Sequence, residues 1–121
     1  NMKSISKSFI VGKQDTAAVM GSGLLEVLAT PTMVAWMENT SILLTEEYLQ
    51  EGDTTVGICI NTSHEKASAV GEKITCNATL INVEGRKLSF EIECFNENNI
   101  RIGKAYHERF IVNSQKFMSK L

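Results

Sequence analysis

Five stretches of this chain alternate apolar and polar residues. One longer stretch, lying between the first and second of them, repeats its apolar positions at three- and four-residue spacing instead. "SISKSFIV" at 4–11 alternates loosely, is rich in strand formers and ends at Gly12. "TTVGICINTSHEK" at 54–66 puts Val56, Ile58, Ile60, Thr62 and His64 on one face by strict alternation. "EKITCNATLINV" at 72–83 groups Ile74, Cys76, Ala78 and Leu80, and "RKLSFEIECF" at 86–95 groups Leu88, Phe90, Ile92 and Cys94. "EGR" at 84–86 marks a tight hairpin between these two. "IGKAYHERFIV" at 102–112 is a last strand, followed by a tail that is exposed or weakly helical.

The exception is "TPTMVAWMENTSILLTEEYLQEG". Thr30 can cap it, Pro31 suits the first helical position, and Gly52 lies just past its end. That spacing predicts one helix of roughly 20 residues, about 30 Å long. At 100° per residue, Met33, Met37, Leu44 and Tyr48 share one side, Val34, Ile42 and Leu49 a second, and Trp36 with Leu43 a third. A helix apolar nearly all round is expected to be buried nearly all round. In a chain this short only a curled sheet supplies that cover. One strand, one long helix and four antiparallel strands make an α+β chain of the hotdog type, a long sheet of about five strands wrapped around one central helix. A ketosteroid-isomerase-like cone is the alternative, but it calls for more helices before its sheet. The 121 residues suffice for one such domain over 1–121 and no second.

Composition narrows the function classes. Hydrophobic residues make up 43% and charged residues 21%, with one proline and 8 glycines, which reads as globular and soluble. The net charge is −2, and no basic run exceeds a Lys or Arg pair, so a nucleic-acid partner is not expected. The opening "NMKSISKSFIV" has the apolar run of neither a signal peptide nor a membrane span, and Asn1 ahead of Met2 reads as foreign to the natural start. Cys59, Cys76 and Cys94 are widely spaced, odd in number and without a CxxC, so they are expected to be reduced residues of the core or its margin in a cytoplasmic protein. The "NTS" and "NAT" tripeptides carry no weight without secretion.

Three residues carry the candidate chemistry. Glu38 stands in the apolar helix between Val34 and Ile42, where a carboxylate needs either a partner or a task. His64 shares the helix-facing side of its strand with Val56, Ile58 and Ile60. An acid and an imidazole delivered to one enclosed place form a general acid/base pair, although each alone is as readily a structural partner. Thr30 at the helix start is an ordinary cap, but the first turn also offers free N–H groups and the positive end of the dipole to a developing oxyanion. "HER" at 107–109 puts His107 and Arg109 on one face and reads as a solvated strand face, with Arg109 alternatively pairing a carboxylate or a phosphate. There is no HExxH for zinc and no GxSxG, and Gly21-Ser22-Gly23 is too short for a dinucleotide loop.

Together "VLATPTMVAWMENTS", "TTVGICINTSHEKASAVGEKITCNATL", "VEGRKLSFEIECFNE" and "GKAYHERFIV", spanning about 27–113, resemble the fluoroacetyl-CoA thioesterase-like family of hotdog proteins. The resemblance implies a catalytic set of Thr30, Glu38 and His64, with Gly57 and Arg109 contacting substrate. It implies an acyl-CoA substrate, no metal and no cofactor beyond the coenzyme A of the substrate. It also implies a homodimer with sites at the subunit interface, with further pairing to a tetramer left open. In the fluoroacetate-specific member of that family, aromatic residues between the first strand and the helix form a lid over a very small acyl group. Here Gly12 to Val27 holds none, so a different or broader acyl preference is expected. Two other readings remain: an enoyl-thioester hydratase or dehydratase, and a noncatalytic binder of CoA or an acyl ligand.

Overall fold

The computed structural model describes residues 2–121, and Asn1 lies outside them. The chain runs β1 (Lys3–Ile10), α1 (Ala17–Met20), α2 (Thr30–Ile42), β2 (Asp53–His64), β3 (Lys73–Glu84), β4 (Lys87–Phe95), β5 (Arg101–Asn113) and α3 (Ser114–Ser119). The strands form one sheet in the order β1-β3-β4-β5-β2, every neighbour antiparallel. It is the hotdog arrangement expected from the order of elements, with α2 against the sheet's inner face. Ile74, Cys76, Ala78 and Leu80 of β3 and Leu88, Phe90, Ile92 and Cys94 of β4 are buried as alternation predicts. The hairpin between them has two loop residues, Gly85 and Arg86, with Gly85 at φ 61°, the left-handed position that a tight hairpin assigns to glycine.

The helix is shorter than its apolar pattern. α2 has 13 residues, and beyond Ile42 the chain continues in tighter turns, with Leu44 N–H bonded to the Ser41 carbonyl and Thr45 N–H to that of Ile42. The hydroxyls of Thr40 and Ser41 donate to the Trp36 and Met37 carbonyls at 2.8 and 2.9 Å, and that of Thr45 to the Ile42 carbonyl. Side-chain bonds of this kind compete with the helical ladder and end it. Tyr48 and Leu49 still pack on the core from the following 3₁₀ turn.

Burial is also narrower than the pattern. Met33, Met37, Thr40 and Ser41 face the sheet, Val34 and Trp36 are half-buried, and Ile42 and Leu43 are exposed. A single five-stranded sheet covers one side of the helix, and the other apolar side remains open within the chain. Trp36 is held at its edge by stacking on Phe9 of β1, ring centroids 4.8 Å apart.

In β2 the strict alternation breaks. Gly57 pairs with Arg109 but Cys59 with Glu108, so Ile58 is the extra residue of a β-bulge. The inner face is therefore Thr55 and Gly57 before the bulge and Ile60, Thr62 and His64 after it. Val56, opposite exposed Phe110, lies on the outer face, and Ile58 is exposed. One cysteine expectation also changes. Cys59 is exposed, whereas Cys76 and Cys94 are directly opposite on β3 and β4, buried thiols with sulfurs 2.9 Å apart. Their sequence distance hides a contact that strand pairing creates.

Where β5 passes beneath α2 there is no room for a side chain. A Cβ on Gly103 would fall 2.6 Å from the Met33 sulfur and 2.9 Å from the Ser63 carbonyl of the paired strand. Met33 is fully buried and the carbonyl is backbone, so neither yields easily. Gly103→Ala is expected to cost about 1–3 kcal/mol in urea unfolding.

Candidate active site

The start of α2 is where the sequence reading needs its first amendment. Ala29, with no side-chain hydrogen bond, occupies the capping position, and Thr30 and Pro31 are the first two helical residues. The first helical bond runs from the Met33 N–H to the Ala29 carbonyl, and Pro31 has no N–H, so Thr30 and Thr32 carry the amides of this turn ahead of that bond. Relieved of capping, the Thr30 hydroxyl shares a 2.8 Å hydrogen bond with His64 Nδ1. His64 Nε2 is buried and has no hydrogen-bond partner among the described residues. Both residues line a cavity of about 250 Å³, closed on other sides by Ala17, Val27, Leu28 and Lys66. The wall between β1 and α2 is built by backbone bonds from Ala17 to Val27, Leu28 to Ser68 and Ala29 to Asp15. It turns Ala17, Val27 and Leu28 to the cavity rather than aromatic rings.

Glu38 sits elsewhere. Eight residues along the helix from Thr30, about 12 Å at 1.5 Å per residue, its carboxylate meets Arg109 and not His64. Oε2 accepts from Arg109 Nη1 at 3.1 Å and lies 3.8 Å from His107 Nε2. The carboxylate is about one-third exposed (36%), so it is neither unpaired nor enclosed in apolar surroundings as its sequence neighbours suggest. Gly57 provides the clearance: a Cβ there would stand 2.6 Å from Glu38 Oε2.

His107 and Arg109 are not a solvated face. Both are buried on the inner side of β5, in line with Gly103, Ala105 and Ile111. Arg109 Nε donates to Thr55 Oγ1 at 2.9 Å, Nη2 to the Thr55 carbonyl at 3.2 Å, and Nη1 to both Glu38 and His107 Nε2, the latter at 3.2 Å. His107 Nδ1 donates to the Cys59 carbonyl at 2.8 Å. Thr55 and the Cys59 carbonyl were absent from the sequence reading, which put His107 on a solvated strand face. The shared parity of 103, 105, 107, 109 and 111 is the signal that places His107 and Arg109 on the inner side, though the apolar Tyr106, Phe110 and Val112 blur it.

The chain thus makes two separate half-sites, Thr30 with His64 and Glu38 with Arg109, His107 and Gly57. The family model described as fluoroacetyl-CoA-specific thioesterase matches residues 11–115, which contain all of these positions. The chain belongs to that family. It is similar to the fluoroacetyl-CoA thioesterase of Streptantibioticus cattleyicolor, 34% identical over 96 residues that cover 79% of this chain and 68% of that one. A crystal structure of the fluoroacetyl-CoA thioesterase superposes with a TM-score of 0.91 at 29% identity, covering 98% of this chain and 91% of the other. A thioesterase-superfamily protein of Thermus thermophilus shares the fold at a TM-score of 0.89 and 23% identity, over 98% and 87% of the two chains. Hotdog family members therefore share the framework that carries both half-sites.

Burial sets the protonation of both histidines. It pushes the His64 imidazole below its ordinary value, and it does the same to His107, where the Arg109 cation adds to the effect and the Cys59 carbonyl opposes it. Both are poised to stay neutral where an unfolded histidine, near 6.5, takes up a proton. The unfolded chain then binds more protons than the folded one, so stability falls as pH drops from about 6.5. Glu65 and Glu108, held below the usual 4.5 by Arg101 and Tyr106 respectively, contribute only in a more acidic window. The melting temperature is expected to decline between pH 7.5 and 5.5, and the decline to flatten in His64→Gln and His107→Gln.

Proposed function

We propose that this protein is an acyl-CoA thioesterase that hydrolyses a small acyl thioester to free CoA and a carboxylate, and that it does so as a homodimer in the cytoplasm. Membership of the fluoroacetyl-CoA-specific thioesterase family supports the reaction, and a related thioesterase at 29% identity has been crystallised with fluoroacetate and CoA. The observation that carries the reading is the Thr30–His64 contact, at the positive end of a helix and open to a cavity. It brings hydroxyl, imidazole and dipole to a point where negative charge develops on a thioester oxygen.

The assembly is argued from what one chain leaves unfinished. β2 is a 12-residue edge strand whose second side pairs with no other described strand, with Ile58 exposed on it and Ile42 and Leu43 exposed at the end of α2. Antiparallel pairing of β2 with a second copy covers this edge by a two-fold axis. The same axis carries Glu38 toward the Thr30 and His64 end of the partner subunit.

In such a site Glu38 either attacks the thioester carbonyl, giving a mixed anhydride that water opens, or takes a proton from the attacking water. Thr30 orients the carbonyl or the carboxylate, and first-turn N–H groups hold the oxyanion. His64, neutral at rest and with a free nitrogen, relays to the CoA thiolate the proton that the attacking water gives up, so that the C–S bond broken as the C–O bond forms ends as CoA thiol and the imidazole returns to neutral. Carboxylate, imidazole and water suffice for these steps without a metal or further cofactor. With aliphatic rather than aromatic residues beside the cavity, selectivity for fluoroacetyl over acetyl and somewhat larger acyl groups is expected to be weak.

Release of free CoA from acetyl, fluoroacetyl, medium-chain and aromatic acyl-CoA tests the reaction. Glu38→Gln and His64→Ala are each expected to lower kcat by about 10²–10⁴-fold with the fold and oligomer intact. Mixing the two inactive variants tests the composite site. Random exchange rebuilds roughly a quarter of the wild-type sites, because a mixed dimer holds one intact site and one doubly altered one. Activity that stays at the level of the separate variants after subunit exchange excludes a site shared between subunits. A wild type that binds acyl-CoA without releasing CoA is a ligand-binding protein instead.

A further inference from the structure

The proposed chemistry needs a Glu38 oxygen that is free to react, yet the carboxylate lies beside a buried arginine. Left to themselves, a guanidinium and a carboxylate form two parallel hydrogen bonds that occupy both oxygens. Here they do not. Glu38 receives one N–H, on Oε2, and Oε1 has no hydrogen-bond partner among the described residues.

The cause is the way the fork of Arg109 is filled. Thr55 takes Nε–H through its hydroxyl and one Nη2 hydrogen through its carbonyl. Nη1 has two hydrogens, one going to Glu38 at 3.1 Å and the other to His107 Nε2 at 3.2 Å. His107 accepts it in only one form. Its Nδ1 is 2.8 Å from the Cys59 carbonyl, which can only accept, so the proton is on Nδ1. Arg109 can only donate, so Nε2 must hold its lone pair. The neutral Nδ1–H tautomer alone satisfies both neighbours, and burial favours that neutral form. The Cys59 carbonyl belongs to the residue that follows the β-bulge, which gives the irregularity in β2 a purpose.

We infer that His107 is a positioning residue for the reactive carboxylate: it occupies the second Nη1 hydrogen of Arg109, keeps the Arg109–Glu38 contact single, and so leaves Glu38 Oε1 free to act on the thioester or on water. This rests on the thioesterase reading above. Without His107 the guanidinium can swing toward Glu38 and engage both oxygens.

Three measurements test it. In the wild type, nitrogen-15 NMR is expected to show His107 as the Nδ1–H tautomer with an unprotonated Nε2 at pH 7. His107→Leu, which cannot accept from Arg109, is expected to lower kcat by about 100-fold with little change in KM, because a reacting oxygen is misplaced while the binding surface is kept. His107→Gln, whose amide oxygen can accept from Arg109, is expected to recover at least tenfold of that loss. A wild-type Nε2–H tautomer overturns the inference, as does His107→Leu at wild-type kcat, or Leu and Gln variants equally impaired. If His107→Leu does not fold, the tautomer and the Gln variant still decide, with a Gln variant as inactive as Glu38→Gln counting against it. A wild type with no turnover overturns both readings, whereas turnover in the wild type matched by His107→Leu overturns this one alone.

Discussion

A permanent cation inside the sheet constrains everything around it. Arg109 is 6% exposed, and a guanidinium removed from water is tolerated only when its donors are met. Meeting them fixes a threonine on β2, a histidine on its own strand and a carboxylate on the helix, which ties α2 to two paired strands through one side chain. Burial weakens the charged form of Arg109 and Glu38 supports it, so the helix carboxylate holds the cation as much as the cation holds the carboxylate. Gly57 is part of the same arrangement, because any side chain there would push the two apart.

The β-bulge at Ile58 resolves a geometric conflict. Thr55 and Gly57 must face inward to serve Arg109 and Glu38, and His64 must face inward to meet Thr30. These positions have opposite parity, and a regular strand turns alternate residues to opposite faces. One inserted residue lets the same strand serve both ends of the helix. The cost is an exposed isoleucine and one interrupted step of the β2–β5 ladder.

Much of this was legible because β3 and β4 alternate cleanly and because Pro31 marks a helix start. The inward side of β2 was read from strict alternation, which gave His64 correctly and Val56 wrongly, since a bulge leaves no mark in a pattern apolar on both parities. Helix length was overread because Thr40, Ser41 and Thr45 look helix-compatible at their positions, whereas their hydroxyls bond backward to carbonyls and tighten the turn. Thr30 was read as a cap by residue type, but its hydroxyl has a better acceptor or donor in His64. The network of His107 and Arg109 was hidden for the opposite reason: charged residues in a strand usually mark the solvated face, and here burial follows from their mutual satisfaction.

The separation of the two half-sites ties assembly to chemistry. A group that attacks a thioester carbonyl must come within about 3–3.5 Å of it. Thr30 with His64 and Glu38 with Arg109 stand about two helical turns apart on one chain, too far to act on one carbonyl. The free side of β2 is an edge that one chain leaves uncovered, and Gly57 and His64, one from each half-site, lie on that strand. Under the proposed two-fold pairing, the contact that protects the edge strand is the one that joins an acid to an imidazole. Catalysis then requires dimerisation, because a separated subunit holds only unconnected halves of two sites.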